Sequence, residues 1–234
     1  MRKLIIIPAF NEEKNIAAVI KDITTNALGF DYVIINDSST DNTYQVCKFN
    51  DFNIITLPVN LGIGGAVQTG FMYALLNNYD LAVQFDGDGQ HSALYLNDMV
   101  QEMEDKNLDM IIGSRFIKND GFQSSFSRRI GIVYFSLLIK ILTKKNITDP
   151  TSGFRLINKK IIKMFCKYYP KDYPEPESVV SVLRNNYKVG EIPVIMSKRT
   201  EGKSSINLIR SIYYMVKVSI AIFIDVIKKN TRGE

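Results

Sequence analysis

Apolar and polar residues alternate in a regular rhythm over the first half of the chain. Five short runs rich in isoleucine and valine predict β-strands at residues 4–8, 32–36, 53–57, 81–85 and 110–113, and the segments between them predict helices at 12–25, 41–50, 63–77 and 93–104. Strands that alternate with helices form a mostly parallel sheet with helices on both faces. The pattern therefore predicts an α/β fold whose ligands gather at the carboxyl ends of the strands.

The rhythm changes after residue 124, where two longer apolar segments follow at 126–143 and 208–229. Basic side chains interrupt the first of them, among them Arg128, Arg129 and Lys140. Neither segment offers the ~18 uncharged residues that crossing a bilayer requires. We expect two amphipathic helices, which lie either against the protein core or in a membrane interface with their basic side chains toward the headgroups.

Composition and charge narrow the class of protein and its partners. The 234 residues are 46% apolar and 23% charged, which is ordinary for a globular protein, and the net charge is +5. A basic surface suits phosphorylated substrates or anionic lipid, and without a recognisable motif we expect no nucleic-acid partner. Cys47 and Cys166 lack zinc or disulfide spacing, and the apolar run before Pro8 is too short for a signal peptide. These features favour the cytoplasm.

Asp86 and Asp88 directly follow the strand predicted at 81–85. Two carboxylates separated by one glycine repel one another, and a divalent cation with a phosphate-bearing ligand would hold both ionised. Gln90 offers a third oxygen, so we expect these three residues to hold Mn²⁺ or Mg²⁺. His91, the only histidine, is either a general base or, as we prefer, a hydrogen-bonding partner.

Polar residues also follow the first and second predicted strands. Asp37 opens a polar run in which residues 39–41 could cap the next helix, but Asp37 itself stands too early for that role and suits a ribose hydroxyl or a base N–H. The glycine-rich segment 60–66 either admits an anion to a helix N-terminus or only permits close helix packing. Because strand ends converge, we expect one pocket here.

Three polar segments of the second half suggest further site residues. In the turn at 149–155, Asp149 and Arg155 either pair with each other or serve the site. Glu175 and Glu177 precede a helix predicted at 178–186, where they either cap the helix or orient an acceptor. Residues 199–205 are cationic and form either a solvated loop or a segment that folds over a diphosphate.

Taken together, these motifs resemble glycosyltransferase family 2, and within it the branch of dolichol- and polyprenyl-phosphate sugar synthases. The resemblance is carried by residues 7–13, 36–41, 60–65, 86–90, 113–115, 149–155 and 199–205. It implies a GT-A (Rossmann-like) fold, an inverting transfer from a nucleotide sugar, for which UDP is the preferred nucleotide, and a divalent metal. It also implies a catalytic domain at 1–207, with a membrane-facing helical insert at 124–147, and a C-terminal amphipathic helix at 208–234 that docks to a membrane or a partner.

Site roles follow from the resemblance by position. Contacts to the nucleotide-sugar donor fall on Pro8, Ala9, Asn11, Glu12, Asp37, Gly62, Gly64, Asp86, Arg199 and Ser204, and the metal falls on Asp86, Asp88 and Gln90. Arg115 and Arg128 match arginines that hold an acceptor phosphate. The catalytic set that we predict is Asp88, Arg115, Arg128, Asp149 and Glu177.

The acceptor stays open between two chemistries. A polyprenyl phosphate is ionised near neutral pH and needs no strong base, so catalysis would rest on positioning and on metal and arginine charge. A sugar hydroxyl of a growing glycan needs a general base, for which Glu175, Glu177 and Asp149 are candidates. A non-catalytic nucleotide-binding membrane scaffold and a nucleotidyltransferase are the alternatives from other classes.

The charged segment at 208–229 departs from the transmembrane helices that related synthases often carry. We therefore expect peripheral association with the cytoplasmic face of the cell membrane, either directly or through a separate small membrane-anchoring protein. A homo-oligomer stays open as well.

Overall fold

The structure is a computed structural model that describes residues 1–118, 126–197 and 208–227. For residues 126–128, 208–212 and 225–227 only the backbone is described. The described chain forms a sheet with helices on both of its faces.

The sheet has seven strands in the described residues. They are β1 (Lys3–Ala9), β2 (Asp31–Asn36), β3 (Ile54–Thr56), β4 (Leu81–Gln84), β5 (Met110–Ser114), β6 (Arg155–Asn158) and β7 (Val189–Pro193), in the spatial order β3-β2-β1-β4-β6-β5-β7. All neighbouring pairs are parallel except those of β6, which runs antiparallel to both β4 and β5. The mostly parallel α/β sheet predicted from the sequence is confirmed.

Eight α-helices accompany the strands in the described residues. They are α1 (Ile16–Asn26), α2 (Thr43–Phe49), α3 (Gly62–Leu76), α4 (Leu96–Asp105), α5 (Phe126–Thr143), α6 (Lys159–Lys167), α7 (Pro174–Arg184) and α8 (Leu208–Ile227). Helix α3 lies so close to β1 that a methyl group on Gly70 would stand 2.1 Å from Cγ2 of Ile6. This packing holds the strand-end loops of β1 and β2 beside the start of α3.

Side chains alternate between two cores, one on each face of the sheet. In β1, Leu4 and Ile6 belong to the first core and Ile5 and Ile7 to the second. Helices α3, α5, α6, α7 and α8 cover the first core, and α1, α2 and α4 cover the second. Because both faces are buried, the strands are nearly continuous apolar runs, and the carboxyl ends of β1, β2 and β4 are left for function.

Two strands and several helix boundaries differ from the prediction, and α1, for example, begins at Ile16 instead of residue 12. Strands β6 and β7 were not predicted, since β6 is only four residues long and β7 contains Gly190 and Pro193, which weaken a strand signal. Helix α7 begins at Pro174 rather than at residue 178, because proline suits the first turn of a helix. Glu175 and Glu177 therefore lie inside the first turn and not ahead of it.

The two predicted amphipathic helices, α5 and α8, pack beside each other and against α7. Each buries one side in the first core and leaves an apolar stripe exposed. On α5 the stripe consists of the aliphatic side chains Ile130, Val133, Leu137 and Ile141, and on α8 of Tyr213, Val216, Ile220, Phe223 and Ile224. No helix in the described part of the chain is long and apolar enough to cross a bilayer. We call these nine side chains the apolar surface.

Candidate active site

A cavity of about 410 Å³, the strand-end cavity, lies where β1, β2 and β4 end. It is lined by seven residues that the sequence predicted, namely Pro8, Ala9, Glu12, Asp37, Gly62, Asp86 and Asp88. Phe10, Asn60, Ile63, Ala66 and Gly87 also line it and were not predicted. Phe10 is 47% exposed, and an aromatic residue among the polar residues after a predicted strand is the sequence signal that could have found it.

Asp37 joins the strand-end loop of β2 to the loop before α3. Its Oδ1 accepts a hydrogen bond from the backbone N–H of Leu61 at 2.7 Å. Its backbone carbonyl accepts one from Nδ2 of Asn60 at 3.1 Å. The residue is buried, yet it lines the cavity. A buried carboxylate that already receives one backbone N–H is fixed in place to receive a second donor from a ligand.

Asn11 has a bracing role instead of a place in the cavity. Its backbone is left-handed, with φ at 58°, and its Oδ1 accepts the N–H of Thr40 at 2.8 Å. The backbone N–H of Asn11 in turn donates to Oγ of Ser39 at 3.0 Å. Asn11 therefore holds the β1 and β2 loops together from outside, and the direct donor contact that we predicted for it is not favoured by this geometry.

Asp41 precedes the N-cap residue of α2, Asn42, and its carboxylate accepts the first N–H of the helix, which is close to the capping alternative of the sequence analysis. Its Oδ1 accepts the N–H of Thr43 at 2.9 Å, and its Oδ2 accepts that of Glu13 at 3.1 Å. Thr43 Oγ1 accepts the N–H of Glu12 at 2.9 Å. These bonds fix the backbone on which Glu12 faces the cavity.

The glycines of the segment 60–66 divide between the two roles considered for them. Gly62, with φ at +75°, lines the strand-end cavity. Gly64 donates its N–H to the carbonyl of Lys171 at 3.2 Å, and a methyl group there would lie 2.2 Å from the carbonyl oxygen of Pro170. Gly64 therefore serves close packing, and its predicted donor contact stays a prediction because its N–H is already used within the protein.

Asp86 stands at the end of β4 in a tightly built surround. A methyl group on Gly153 would lie 3.1 Å and 3.3 Å from the two carboxylate oxygens of Asp86 and 2.8 Å from Nε2 of Gln84. Gln84 is buried between these groups, since its Nε2 lies 3.4 Å from Oδ1 of Asp86 and its Oε1 accepts the hydroxyl of Tyr169. A larger residue at position 153 would therefore have to shift the side chain of Gln84 or Asp86.

His91 is a hydrogen-bonding partner of Asp86. Its Nδ1 accepts the backbone N–H of Asp86 at 3.0 Å, so the neutral ring carries its proton on Nε2, which lies 3.6 Å from Oδ2 of Asp86. The ring is buried and stacks on Phe154 at 4.8 Å between ring centres. The base alternative is not favoured, because Nδ1 is occupied and Nε2 faces a carboxylate.

The paired aspartates fit a divalent cation by their chemistry. Asp86 and Asp88 are both half-buried at the same cavity, and Gln90 donates its backbone N–H to Oδ1 of Asp88 and its side-chain nitrogen to the carbonyl of Ser197. Carboxylate and amide oxygens are the hard ligands that Mn²⁺ and Mg²⁺ take. Within the described residues no group of three or more His, Cys, Asp or Glu side chains could hold a metal.

A second cavity of about 200 Å³, the helix-side cavity, adjoins the first and shares Ile63 and Asp86 with it. It lies between the turn at 151–153 and the helices α5, α7 and α8. Its polar lining includes Gln90, Arg115 and Glu175, and its apolar lining includes Ile132, Tyr214 and Met215. The two cavities therefore meet at a carboxylate of the predicted metal pair.

Arg115 is held at the helix-side cavity by Asp149. The Nε and Nη2 atoms of Arg115 donate to the two carboxylate oxygens of Asp149 at 2.7 Å and 2.8 Å, and both side chains are buried. The alternative in which Asp149 pairs with Arg155 is therefore excluded, since Asp149 pairs with Arg115. Because both oxygens of Asp149 are bound, a general-base role for Asp149 is not favoured.

Arg155 has a different role from the one we considered. Its guanidinium donates to the carbonyls of Ser152 and Pro150 at 2.7 Å and 2.8 Å and to Oγ of Ser178 at 2.7 Å. It is buried and fixes the shape of the 150–152 turn. Arg155 therefore acts on the site indirectly. It holds the turn that leads into Gly153, which lies beside Asp86.

Glu191 of β7 was missed by the sequence analysis. Its carboxylate accepts the backbone N–H groups of Thr148 and Asp149 at 2.8 Å and 2.9 Å and the hydroxyl of Thr148 at 3.0 Å. Burial raises the pKa of Glu191, and the nearby charge of Asp149 adds to that, against the opposing effect of these hydrogen bonds. A single glutamate in an edge strand gives no sequence signal of this role.

Glu175 and Glu177 point to different places. Glu175 lines the helix-side cavity, together with Asp86 and Arg115. Glu177 is buried behind it, where its Oε1 accepts the hydroxyl of Tyr168 at 2.9 Å, and it lines a separate cavity. The structure places Glu177 away from the cavity that contains Asp86, and its catalytic role stays a prediction.

An aromatic contact ties α8 to the helix-side cavity. The rings of Tyr173 and Tyr214 lie 4.6 Å apart between centres, and both residues line this cavity. Tyr214 also contacts Phe135 of α5 at 5.2 Å. Three predicted residues are not placed: Arg199 and Ser204 lie outside the described residues, and the side chain of Arg128 is not described.

Comparison with known proteins agrees with this arrangement. The model of Glycosyl transferase family 2 matches residues 4–165. The UDP-N-acetylglucosamine–dolichyl-phosphate N-acetylglucosaminyltransferase of Methanococcus voltae is 28% identical over 213 residues, which cover 81% of this chain and 83% of that protein. An uncharacterised protein of Methanocaldococcus jannaschii is 34% identical over 168 residues, covering 68% of this chain and 72% of its own length.

Solved structures show the same fold. Glucosyl-3-phosphoglycerate synthase from Mycobacterium tuberculosis, in complex with Mn²⁺, uridine diphosphate and phosphoglyceric acid, superposes with a TM-score of 0.71 at 16% identity and covers 96% of this chain and 78% of its own. Its complex with phosphoglyceric acid alone has a TM-score of 0.72 at 15% identity, with coverage of 96% and 79%. The predicted GT-A fold is confirmed.

Proposed function

Because this chain belongs to glycosyl transferase family 2 and is a glycosyltransferase, we propose that it moves a sugar from a UDP-sugar to a polyprenyl phosphate at the cytoplasmic face of the membrane. The sugar is a hexose or N-acetylhexosamine, and the Methanococcus voltae relative makes N-acetylglucosamine the first to test. The reaction inverts the anomeric configuration. The scaffold and nucleotidyltransferase alternatives lose their support, since the family is one of glycosyltransferases.

One observation carries the proposal: two cavities of different character meet at Asp86. The strand-end cavity has the size and the acidic lining, with Asp37 and Glu12, that suit the hydroxyl and N–H groups of a nucleoside. The helix-side cavity combines Arg115 with apolar side chains of α5 and α8. An acceptor with an anionic group and an apolar chain matches this second cavity.

The chain's own residues position the two substrates. Asp86, Asp88 and Gln90 would hold a bound Mn²⁺ or Mg²⁺, which would offset the negative charge of the departing diphosphate. Arg115, fixed by Asp149, places a cation beside the acceptor phosphate. Since that phosphate is already ionised, no side chain has to remove a proton, and the barrier is lowered by orientation and charge.

The apolar surface supports a peripheral membrane position. It lies on α5 and α8, the same helices that close the helix-side cavity through Gly131, Tyr214 and Met215. Amphipathic helices with basic side chains lie in the membrane interface, and Arg129, Lys140 and Lys144 on and after α5 are exposed. A separate anchoring protein and a homo-oligomer stay predictions.

The test is a panel of radiolabelled nucleotide sugars incubated with the purified protein, Mn²⁺ and a short polyprenyl phosphate in detergent. Transfer carries label into the organic phase, and we expect UDP-N-acetylglucosamine or another UDP-sugar to do so while the same sugars with GDP do not. Omission of the polyprenyl phosphate is the control. Label that stays in the aqueous phase with every donor contradicts the proposal.

A glycan hydroxyl is the second candidate acceptor, because Glu175 lines the helix-side cavity where a base would be needed. Glu175→Gln and Glu177→Gln form a matched pair on one helix turn, since Glu177 faces elsewhere. A loss of about 10²-fold or more in Glu175→Gln alone favours the hydroxyl acceptor. Near-normal turnover of both variants favours the phosphate.

A further inference from the structure

We propose that a lysine-lined groove on α6 and the segment after it binds the headgroups of anionic phospholipids, as a second membrane contact beside the apolar surface. The groove is formed by two adjoining cavities of about 580 and 540 Å³ that share Lys167 and Tyr168. None of its residues lines the strand-end or helix-side cavity. The inference rests on the proposed membrane location of the enzyme.

The spacing of the lysines places them along one side of α6. Lys160, Lys163 and Lys167 stand three and four residues apart, so they follow one another on one helix face. Ile161, Ile162 and Phe165 between them are buried in the first core. Lys171 continues the row after the helix ends and lines the same groove.

The row is not neutralised by the protein. Lys160 has Asp109 at 3.5 Å and Lys217 of α8 has Asp172 at 2.6 Å. Within the described part of the chain, Lys163, Lys167 and Lys171 have no carboxylate partner. Asp172 and Glu177 also line the groove, but Asp172 pairs with Lys217, which leaves the single negative charge of Glu177 against the three lysines. The groove therefore presents a surplus of positive charge.

The groove is continuous with the apolar surface. Lys217, Ala221 and Ile224 of α8 line its near end, and Ile224 is also one of the exposed side chains of the apolar surface. If the apolar surface enters the acyl boundary of a bilayer, the lysines come to the level of the headgroups. Lipid phosphates are the anions found at that level, which is why we commit to phospholipid rather than to a soluble ligand.

The experiment compares vesicle binding of two triple variants of the full chain. The test variant is Lys163→Gln, Lys167→Gln and Lys171→Gln. The control variant, Lys21→Gln, Lys48→Gln and Lys106→Gln, removes the same charge from exposed lysines on the side of the sheet covered by α1, α2 and α4. Partition is measured by co-sedimentation with vesicles of phosphatidylcholine alone and with added phosphatidylglycerol.

We expect the test variant to lose about 10²-fold in partition to the phosphatidylglycerol vesicles at low salt, because each basic residue near an anionic surface contributes about fivefold. The control variant should lose little, and binding to phosphatidylcholine should be unchanged in both. Equal losses in the two variants, or none in either, overturn the inference. Displacement from vesicles by millimolar inorganic phosphate, at constant ionic strength, would show a free-anion site and also overturn it.

The outcome separates this inference from the proposed function. Sugar transfer to a short polyprenyl phosphate in detergent needs no vesicle, and the groove lies outside the two site cavities. If transfer fails while the lysine variant loses vesicle binding, the groove stands and the function falls. If transfer succeeds and the lysine variant binds vesicles like the wild type, the function stands and the groove falls.

Discussion

The two cavities that meet at Asp86 are built in different ways. The strand-end cavity takes Ala9, Asp37 and Asp86 from the ends of neighbouring parallel strands. The sheet itself therefore brings these three residues to one edge. The helix-side cavity depends on partners distant in sequence, as Arg115 needs Asp149 and Asp149 needs Glu191. One cavity is specified by topology and the other by a buried polar network.

This difference suggests that different parts of the molecule determine binding of the donor and choice of the acceptor. A strand end in a parallel sheet is a general solution for holding a nucleotide, which explains why the fold is shared with proteins only 15% identical. A network of an arginine and two carboxylates in low dielectric is sensitive to every member, because an unpaired buried charge is costly. We expect changes in the first cavity to abolish all transfer and changes in the second to alter acceptor use.

The largest effect should come from Asp88→Asn. Removing one charge from the metal pair should lower transfer by about 10²- to 10³-fold for any acceptor, because the departing diphosphate loses its counter-charge. Isothermal titration should show that Mn²⁺ no longer strengthens UDP binding. Asp98→Asn on the exposed face of α4 is the matched control. Full activity of Asp88→Asn, or UDP affinity that is indifferent to Mn²⁺ in the wild type, would refute the metal site.

Gly153→Ala tests the point where the two cavities touch. The added methyl group must displace Gln84 or Asp86, and a misplacement of this kind costs about 10²-fold in rate. The measurement is the initial rate with saturating donor, accompanied by the melting temperature. A melting temperature that falls along with the rate would assign the effect to folding and remove Gly153 from the site.

Glu191→Gln should affect the helix-side cavity alone. Its neutral amide cannot accept all three hydrogen bonds from Thr148 and Asp149, so Arg115 loses its fixed position and the KM for the acceptor should rise about 10-fold. The KM for the donor should stay constant. The control is Glu102→Gln on α4, and an equal rise in both KM values would contradict the division into two cavities.

The same glutamate should make stability depend on pH. Because burial raises its pKa, the protonated form is favoured in the folded state, and its contribution is fully present below the ordinary pKa of glutamate and lost as pH rises through the raised value. The melting temperature of the wild type relative to Glu191→Gln should therefore be higher near about pH 4 than near about pH 7.5. If the melting temperature of the wild type relative to Glu191→Gln instead increased with pH, the pKa of Glu191 would be lowered in the folded state and not raised.

The smallest effect should be that of Leu137→Ser on the apolar surface. This side chain is 56% exposed, so stability should change by no more than about 0.5 kcal/mol. Vesicle partition should fall roughly fivefold, equal to about 1 kcal/mol for a side chain that is already half buried. Leu28→Ser, at a position that is 76% exposed after α1, is the control. Equal partition of both variants would remove α5 from the membrane contact.

The sequence predicted the strand-end cavity better than the helix-side cavity. Asp37, Asp86 and Asp88 each follow an apolar run, so strand pattern and chemistry indicated the same positions. The pairing of Asp149 was not predictable, because Arg115 is 34 residues away and nearby Arg155 is the more obvious partner. Likewise, the orientation of Glu175 and Glu177 depends on the exact start of α7, and a helix boundary is the least certain feature of a sequence pattern.

The contact between Tyr173 and Tyr214 has a practical consequence for α8. A protein shortened before Leu208 would lose Tyr214 and Met215 from the lining of the helix-side cavity, together with the α8 part of the apolar surface. Such a shortened enzyme should still recognise UDP, yet water would reach the sugar more easily, so wasteful hydrolysis should rise relative to transfer. Because one helix contributes to both the helix-side cavity and the apolar surface, a substitution on α8 can change both at once.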